Sequence, residues 1–302
     1  MKYLFRSPSG VIATLLILGL AALAFIGPSG FGPAATTVDM LRASEGPSAD
    51  HLLGTDGLGR DILARTLAAA RLSLALGVSA VAIAVVLGSL IGALLAASGR
   101  RVRTIGATII DTMLSFGDIL LGVVVVTILG VGAQGAVIAI GIAFTPIFAR
   151  FTFALVSSTV ARDYVAAARV LGVRRRSILS KYVFRNVSDS IIVTSFSAVG
   201  EGIIALSSLS FLGLGVQEPQ FDWGQMLTDG VRNFYLNPWA ALAPAILIGV
   251  TGLALSMFGD ALAKATNPLL RSPEQTRRDQ ATAAQPVSPT LGAATPAKKV
   301  TP

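Results

Sequence analysis

Asp111, Asp118, Glu201 and Asp260 lie inside, or at the ends of, long apolar runs. A charge left uncompensated at the centre of a bilayer costs at least about 2.5–3.5 kcal/mol. Acids at such positions relay protons or cations, line a wet passage, or stay within reach of water near a span end. Asp111 and Asp260, with Asp189, fall within about two helical turns of one membrane face. Asp118 and Glu201 lie deeper and are the candidate pathway residues, able to meet a substrate's amino group; hydrogen bonding between helices is the other role open to them. Covalent chemistry has little to work with. Cysteine is absent and His51 is the single histidine, so no metal site is expected. No GxxxxGK[ST] run is present to cradle ATP. No nucleophile or acid–base pair stands out, so the chain reads as no enzyme. Energy for uphill movement has to come from another subunit or from an ion gradient.

The elements that hold these acids are set by hydropathy. The chain of 302 residues is 53% hydrophobic and 13% charged, against about 25% charged in a soluble domain. Most of it belongs in lipid. The expected fold is all-α, a polytopic membrane protein with about six transmembrane helices: Val11–Ile26, Leu72–Ala97, Ile105–Leu129, Gly135–Val156 kinked at Pro146, Ile191–Leu212 and Trp239–Leu262. The basic start at Lys2 and Arg6 admits a signal peptide, but the long apolar run without a small-residue cleavage site favours an uncleaved first span. Gly88 and Gly92 give the second span a small-xxx-small face for close helix packing. Residues 1–27 are then the N-terminus and first span, 28–71 a polar segment, 72–263 a five-helix core, and 264–302 a tail whose Ala, Thr, Pro and Gln content reads as disordered.

Arginine and lysine orient the spans. They gather at Arg100, Arg101 and Arg103, across Arg162–Arg185 and in the tail, whereas the opposite loops hold Arg42, Arg60, Arg65, Arg71 and Arg232 together with most loop acids. The positive-inside rule puts both termini and the Arg162–Asn186 loop in the cytoplasm. The net charge of +8 follows from this topology, and with little aromatic interleaving it predicts no nucleic-acid partner.

Three polar stretches carry further information. In RDYVAAARVLGVRRRSILSKYVFRN, residues 162–186, Tyr164, Ala168 and Leu171, with Val165 beside them, share one face of a short helix that Gly172 ends, and a second helical piece follows. This is a docking surface or a basic loop lying on anionic lipid. In the second stretch, His51 to Asp61, Gly54, Gly57 and Gly59 permit turns, Asp56 or Asp61 can cap a helix starting near Ile62, and Arg60 can pair with a carboxylate. The third, residues 213–238, has a turn at Glu218-Pro219 and Trp223, expected as an anchor at the membrane interface, with substrate contact the other role open to it.

The first stretch resembles the loop by which permeases of ATP-binding-cassette importers couple to their ATPases: Ala167 and Ala168, Gly172 and the closing Asn186 match, while Ala166 stands in place of a glutamate and Phe184-Arg185 in place of Leu-Pro. The second resembles the HPLGTDxLGRD signature of the dipeptide, oligopeptide and nickel branch, matching at His51, Gly54, Thr55, Asp56, Leu58, Gly59, Arg60 and Asp61, with ARLSL following at Ala70. Ser210 to Leu227 resembles that branch's SFLGLGxQxPxxxWGxML pattern. The resemblance implies a permease subunit in a bacterial plasma membrane, paired with a homologous second permease. Two ATPase domains holding ATP and magnesium dock beneath, and an external binding protein delivers peptides, or in some relatives nickel or another solute. Tyr164, Val165, Ala166, Ala167, Ala168, Arg169, Leu171, Gly172 and Asn186 would then be the ATPase-coupling residues, with Val165, Ala168 and Leu171 making the apolar contacts. His51, Gly54, Thr55, Asp56, Gly59, Arg60, Asp61 and Trp223 would be the external signature. A carrier driven by an ion gradient, with Asp118 and Glu201 as relays, is the reading from another class.

Overall fold

Asp61 starts the longest helix of the structure. Its side chain accepts a hydrogen bond from Ala64 N at 2.7 Å, satisfying one of the amides a helix start leaves free. The structure, a computed structural model, describes residues 8–160, 162, 163, 165, 170–173, 177 and 184–266. The predicted tail from residue 267 onward lies outside the described residues. The helices are α1 (Pro8–Thr36), α2 (Ile62–Ala97), α3 (Arg100–Ser115), α4 (Asp118–Leu129), α5 (Ala133–Val160), α6 (Arg185–Phe211), α7 (Trp223–Arg232) and α8 (Trp239–Thr266), with a short 3₁₀ turn at Met40–Arg42. No strand occurs among the described residues, and the expected all-α membrane architecture is the one present.

Five helices, α1, α2, α5, α6 and α8, are each long and apolar enough to cross a membrane, and α3 with α4 can make a sixth crossing. That sixth differs from the single span expected over Ile105–Leu129. The chain turns by 95° between α3 and α4, at Gly117, whose φ of 73° lies in the left-handed region that favours glycine. Helix α3 is amphipathic, with Ile110 its one buried residue. The hydroxyls of Thr104, Thr108, Thr112 and Ser115 each donate to the carbonyl four residues earlier, and Asp111 pairs with Arg150 of α5 at 3.4 Å.

Other boundaries move outward. Helix α1 continues past Gly27-Pro28 to Thr36, because Gly27 lies so close to the Leu67 carbonyl of α2 that a Cβ there would come within 2.5 Å of it. Packing on α2 carries the helix through the expected stop. Helix α2 starts at Ile62 rather than Leu72 and, at about 54 Å, exceeds the roughly 30 Å of hydrocarbon in a bilayer. Helix α5 runs through Pro146 without interruption.

In lipid, apolar burial does not by itself drive helices together; close contact does. Gly88 and Gly92 of α2 supply it, since a Cβ on either would sit 2.6 Å from Thr145 O or 2.4 Å from Ala149 O of α5. Around this crossing, Ala80, Val81 and Ala84 of α2, Ile140, Phe144 and Phe148 of α5, and Leu206 and Leu209 of α6 form the main core. A second core joins Leu20, Ala69, Ile203, Trp223, Met226 and Ala254.

Candidate functional site

The polar stretches at residues 37–61 and 213–238 fold together into one knot. Asp56 closes its own turn, accepting from Leu58 N and Arg60 N, both at 2.9 Å, and pairing with Arg60 Nε at 2.7 Å. The other arm of the Arg60 guanidinium reaches Glu218 at 3.1 Å, so this one side chain bridges the two signature stretches. Gly59 has a φ of 75°, and a Cβ there would overlap the Asp39 carbonyl. His51 Nδ1 lies 2.8 Å from Asp61 Oδ2, and its Nε2 lies 3.4 Å from Arg42. Asp61 thereby holds the histidine while capping α2. Thr55 is fully buried, accepts from Glu45 N and donates to the Arg42 carbonyl. Gly54 φ is 78°; its carbonyl accepts from Ile62 N at 3.1 Å. Asn237, just before α8, donates to the carbonyls of Glu45 and Leu53.

Trp223 is not an interfacial anchor. Its side chain is 0% exposed, its Nε1 donates to Thr66 O at 2.9 Å and its backbone N to Ser73 Oγ at 3.1 Å. The indole is a buried staple between α7 and α2. Beside it runs Arg65, whose guanidinium donates to Ala35 O at 3.2 Å, lies 3.6 Å from Asp56 and stacks on Phe221 at 4.2 Å. A cavity of about 20 Å³ lined by Asp56, Arg65, Asp229 and Asn233 has room for about one water.

The electrostatics of the knot follow from this burial. Burial alone would lower the Arg60 pKa, but its hydrogen bonds and charge pairing with Asp56, then Glu218, outweigh it and leave the pKa raised. Asp222 caps α7 through Gln225 N at 2.8 Å; burial nonetheless raises its pKa above the ordinary carboxylate value. Asp229 is raised by burial and then by Glu218, against the opposing pull of Arg60, Arg65 and Arg232. A carboxyl with a folded pKa above its unfolded one binds more protons when folded in the window between them. Its contribution to stability therefore grows as pH falls into that window and is lost as pH rises out of it. The thermal midpoint of the protein in mild detergent is thus expected to gain more on moving from neutral toward pH ~5 than that of the Asp222→Asn/Asp229→Asn double variant, in which asparagine still caps. Equal changes would show that these carboxyls do not titrate in the folded protein.

At the opposite end, Val165 is fully buried and packs with Val156, Val187 and Ile191. It belongs to this chain's own core, and the expected shared face with Leu171 does not form. Leu171 is 82% and Val170 89% exposed, on the turn where Gly172 takes a φ of 73° with open space around it. Tyr164, Ala166, Ala167, Ala168 and Arg169 lie outside the described residues. Asn186 belongs to the first turn of α6, and its side chain lies outside the described residues.

The deeper acids occupy different settings. Asp118 is the first residue of α4 and accepts from Ile119 N at 3.0 Å, where the positive end of the helix favours its charge. Glu201 sits in the middle of α6, exposed, and makes no hydrogen bond or ion pair among the described residues. Asp111 is the partner of Arg150, and Asp189 and Asp260 are exposed near helix ends. No group of three or more metal-ligating side chains occurs among the described residues.

Residues 84–272 match the family described as binding-protein-dependent transport system inner membrane component. The chain belongs to this family. It is 34% identical over 271 residues to the dipeptide transport system permease protein DppC of Alkalihalophilus pseudofirmus, covering 90% of this chain and 89% of that one. It is 35% identical over 271 residues to the glutathione transport system permease protein GsiD of Pectobacterium atrosepticum, covering 88% and 89%. With the di/tripeptide transport system permease protein DppC of Pseudomonas aeruginosa it shares 38% identity over 228 residues, 76% and 75% of the two chains.

In this transport-family permease, Arg65, Phe221 and Asp222 hold the knot together and Asp229 lines its cavity, and sequence reasoning passed over all four. Arg65 left one signal, a charge three residues into an otherwise apolar helical run. The other three are ordinary loop and helix residues until the knot forms.

Proposed function

We propose that this chain is the permease subunit of an ATP-driven importer that takes peptides from an external binding protein. The observation that carries this reading is the match, over about nine-tenths of each chain, to permease proteins named for dipeptide and glutathione transport. A nickel or other solute importer of the same branch would share the architecture, but the relatives' names favour peptides. The chain has no P-loop, so ATP and magnesium belong to two partner ATPase domains. The protein lies in the bacterial plasma membrane with both termini and the 162–186 loop cytoplasmic, following its charge distribution. The exposed Val170–Leu171 turn is the contact through which ATPase closure reaches the spans. Transport proceeds by alternating access, and this subunit catalyses no reaction itself.

A homologous second permease completes the passage. Glu201 supports this: it is about 15 Å from the end of α6, exposed and unpaired within this chain. Facing lipid, it would carry the cost of a buried charge; facing a shared aqueous passage with Asp118, it would not.

The experiment is purification of this chain from its native membrane under mild detergent, followed by reconstitution. A second permease and a P-loop ATPase are expected to accompany it, with peptide uptake that needs ATP. Recovery of the chain alone, with uptake that follows an ion gradient and is lost in Asp118→Asn/Glu201→Gln, would replace this reading with the secondary carrier.

A further inference from the structure

Two arginines at this end of the molecule, Arg71 and Arg232, are exposed with no carboxylate partner among the described residues, and of these Arg71 borders apolar grooves. Arg42, Arg60 and Arg65 are all paired with carboxylates, whereas Arg71 is exposed and makes no hydrogen bond or ion pair among the described residues. It lies on α2 where two open grooves meet. One, of about 390 Å³, is bounded by Pro28 of α1, Leu72, and Gln220 and Phe221 of the polar knot. The other, of about 420 Å³, runs between Phe25 of α1 and Leu74, Val78 and Ser79 of α2. Both are mainly apolar.

Taking Ala97, the last residue of α2 before the basic turn, as one hydrocarbon edge sets the depth of Arg71. Helix α2 ends at Ala97, just before the basic turn that opens α3 with Arg100, Arg101 and Arg103. About 30 Å of hydrocarbon, or about twenty residues, counted back from Ala97 reaches Gly77. Arg71 is then about 9 Å beyond the hydrocarbon edge, within a side chain's reach of a headgroup layer about 5–8 Å thick. On the same count Val78 lies just inside that edge and Leu74 about 4.5 Å outside it, and Phe25 of α1 lines the same groove.

We propose that Arg71 and the α1–α2 groove form a phospholipid site. The guanidinium holds the phosphate of a lipid in the leaflet nearer the 37–61 loop, and an acyl chain lies against Phe25, Leu74 and Val78. An unpaired guanidinium calls for an anion with oxygen acceptors, which a phosphate presents in matching geometry. The apolar lining below it calls for a hydrocarbon chain on the same molecule. The mainly apolar walls beside the guanidinium suit a hydrocarbon chain better than a water-filled passage.

The test uses the protein purified with whatever subunits accompany it, stripped of lipid and incubated with dioleoylphosphatidylglycerol or with dioleoylglycerol, which lacks the phosphate. Native mass spectrometry is expected to show phosphatidylglycerol retained in preference to diacylglycerol. Arg71→Gln is expected to lower that retention about ten-fold, the effect of losing one charge-assisted hydrogen bond, and Arg71→Lys to keep most of it. Equal retention by Arg71→Gln and wild type would overturn the proposal. In a second arm, Val78 is replaced by a photoreactive benzoylphenylalanine and the protein is irradiated in native membranes. A lipid adduct supports the site, and a polypeptide adduct shows instead that the groove is covered by another chain.

Discussion

Leu171→Asp is expected to lower ATP-driven uptake about ten- to hundred-fold, the cost of removing an apolar hot spot from a docked interface. The amount of folded protein in the membrane is expected to stay at the wild-type level. The separation of these effects rests on exposure. Leu171 is 82% exposed beside a similarly open Val170, so its side chain contributes little to packing within this chain. An aspartate there stays in water until a partner approaches, and then enters an apolar groove unpaired. Val165→Asp is the control with the opposite signature: Val165 is fully buried against Val156, Val187 and Ile191, so the charge lowers the yield of folded protein and uptake only in proportion. Uptake, and ATPase stimulation by loaded binding protein, give the readout. Wild-type uptake in Leu171→Asp would remove the exposed turn from the coupling path.

Trp223→Ala is expected to cost about 3–5 kcal/mol of stability, the range for emptying a large aromatic site. Its indole is wholly enclosed by the second core and donates to Thr66 O. Little can collapse into the space, because Gly224 already sits so close to the Ser207 carbonyl that a Cβ would come within 2.3 Å. Trp223→Phe keeps much of the volume and drops the Nε1 donor, so it is expected to fall nearer 1 kcal/mol from the lost hydrogen bond. A thermal midpoint in mild detergent orders the two variants against wild type. An interfacial anchor would give a different pattern, with alanine tolerated, and that result would contradict the buried staple.

The sequence disclosed most where a residue's role is decided by its near neighbours. Asp61 caps α2 and Arg60 pairs with a carboxylate because partners lie within a few residues, and Gly88 with Gly92 announces a close crossing whatever the second helix is. It disclosed least where the partner is distant in the chain. Trp223 resembles an interfacial tryptophan until α2 brings Thr66 and Ser73 to it, 157 and 150 residues away. Val165 and Leu171 share one face by helical period, but the packing of α5 on α6 takes the first inward and the Gly172 turn leaves the second outside. The bend at Gly117 was hidden because hydropathy measures a run's polarity and not its direction.

That bend leaves the third crossing attached very unequally. Helix α4 is anchored in the main core through Gly122 and Val126, whereas α3 has one buried side chain and a half-exposed ion pair, Asp111 with Arg150, worth about 0–1 kcal/mol. Because the hydroxyls of α3 are already bonded to its own carbonyls, the helix gives up few side-chain hydrogen bonds when it shifts. The outer arm of the crossing is therefore cheap to tilt about Gly117 while the inner arm stays fixed, as a door moves on its frame. Rearrangement of the bundle at this end can be absorbed in one joint without disturbing the α2–α5 crossing.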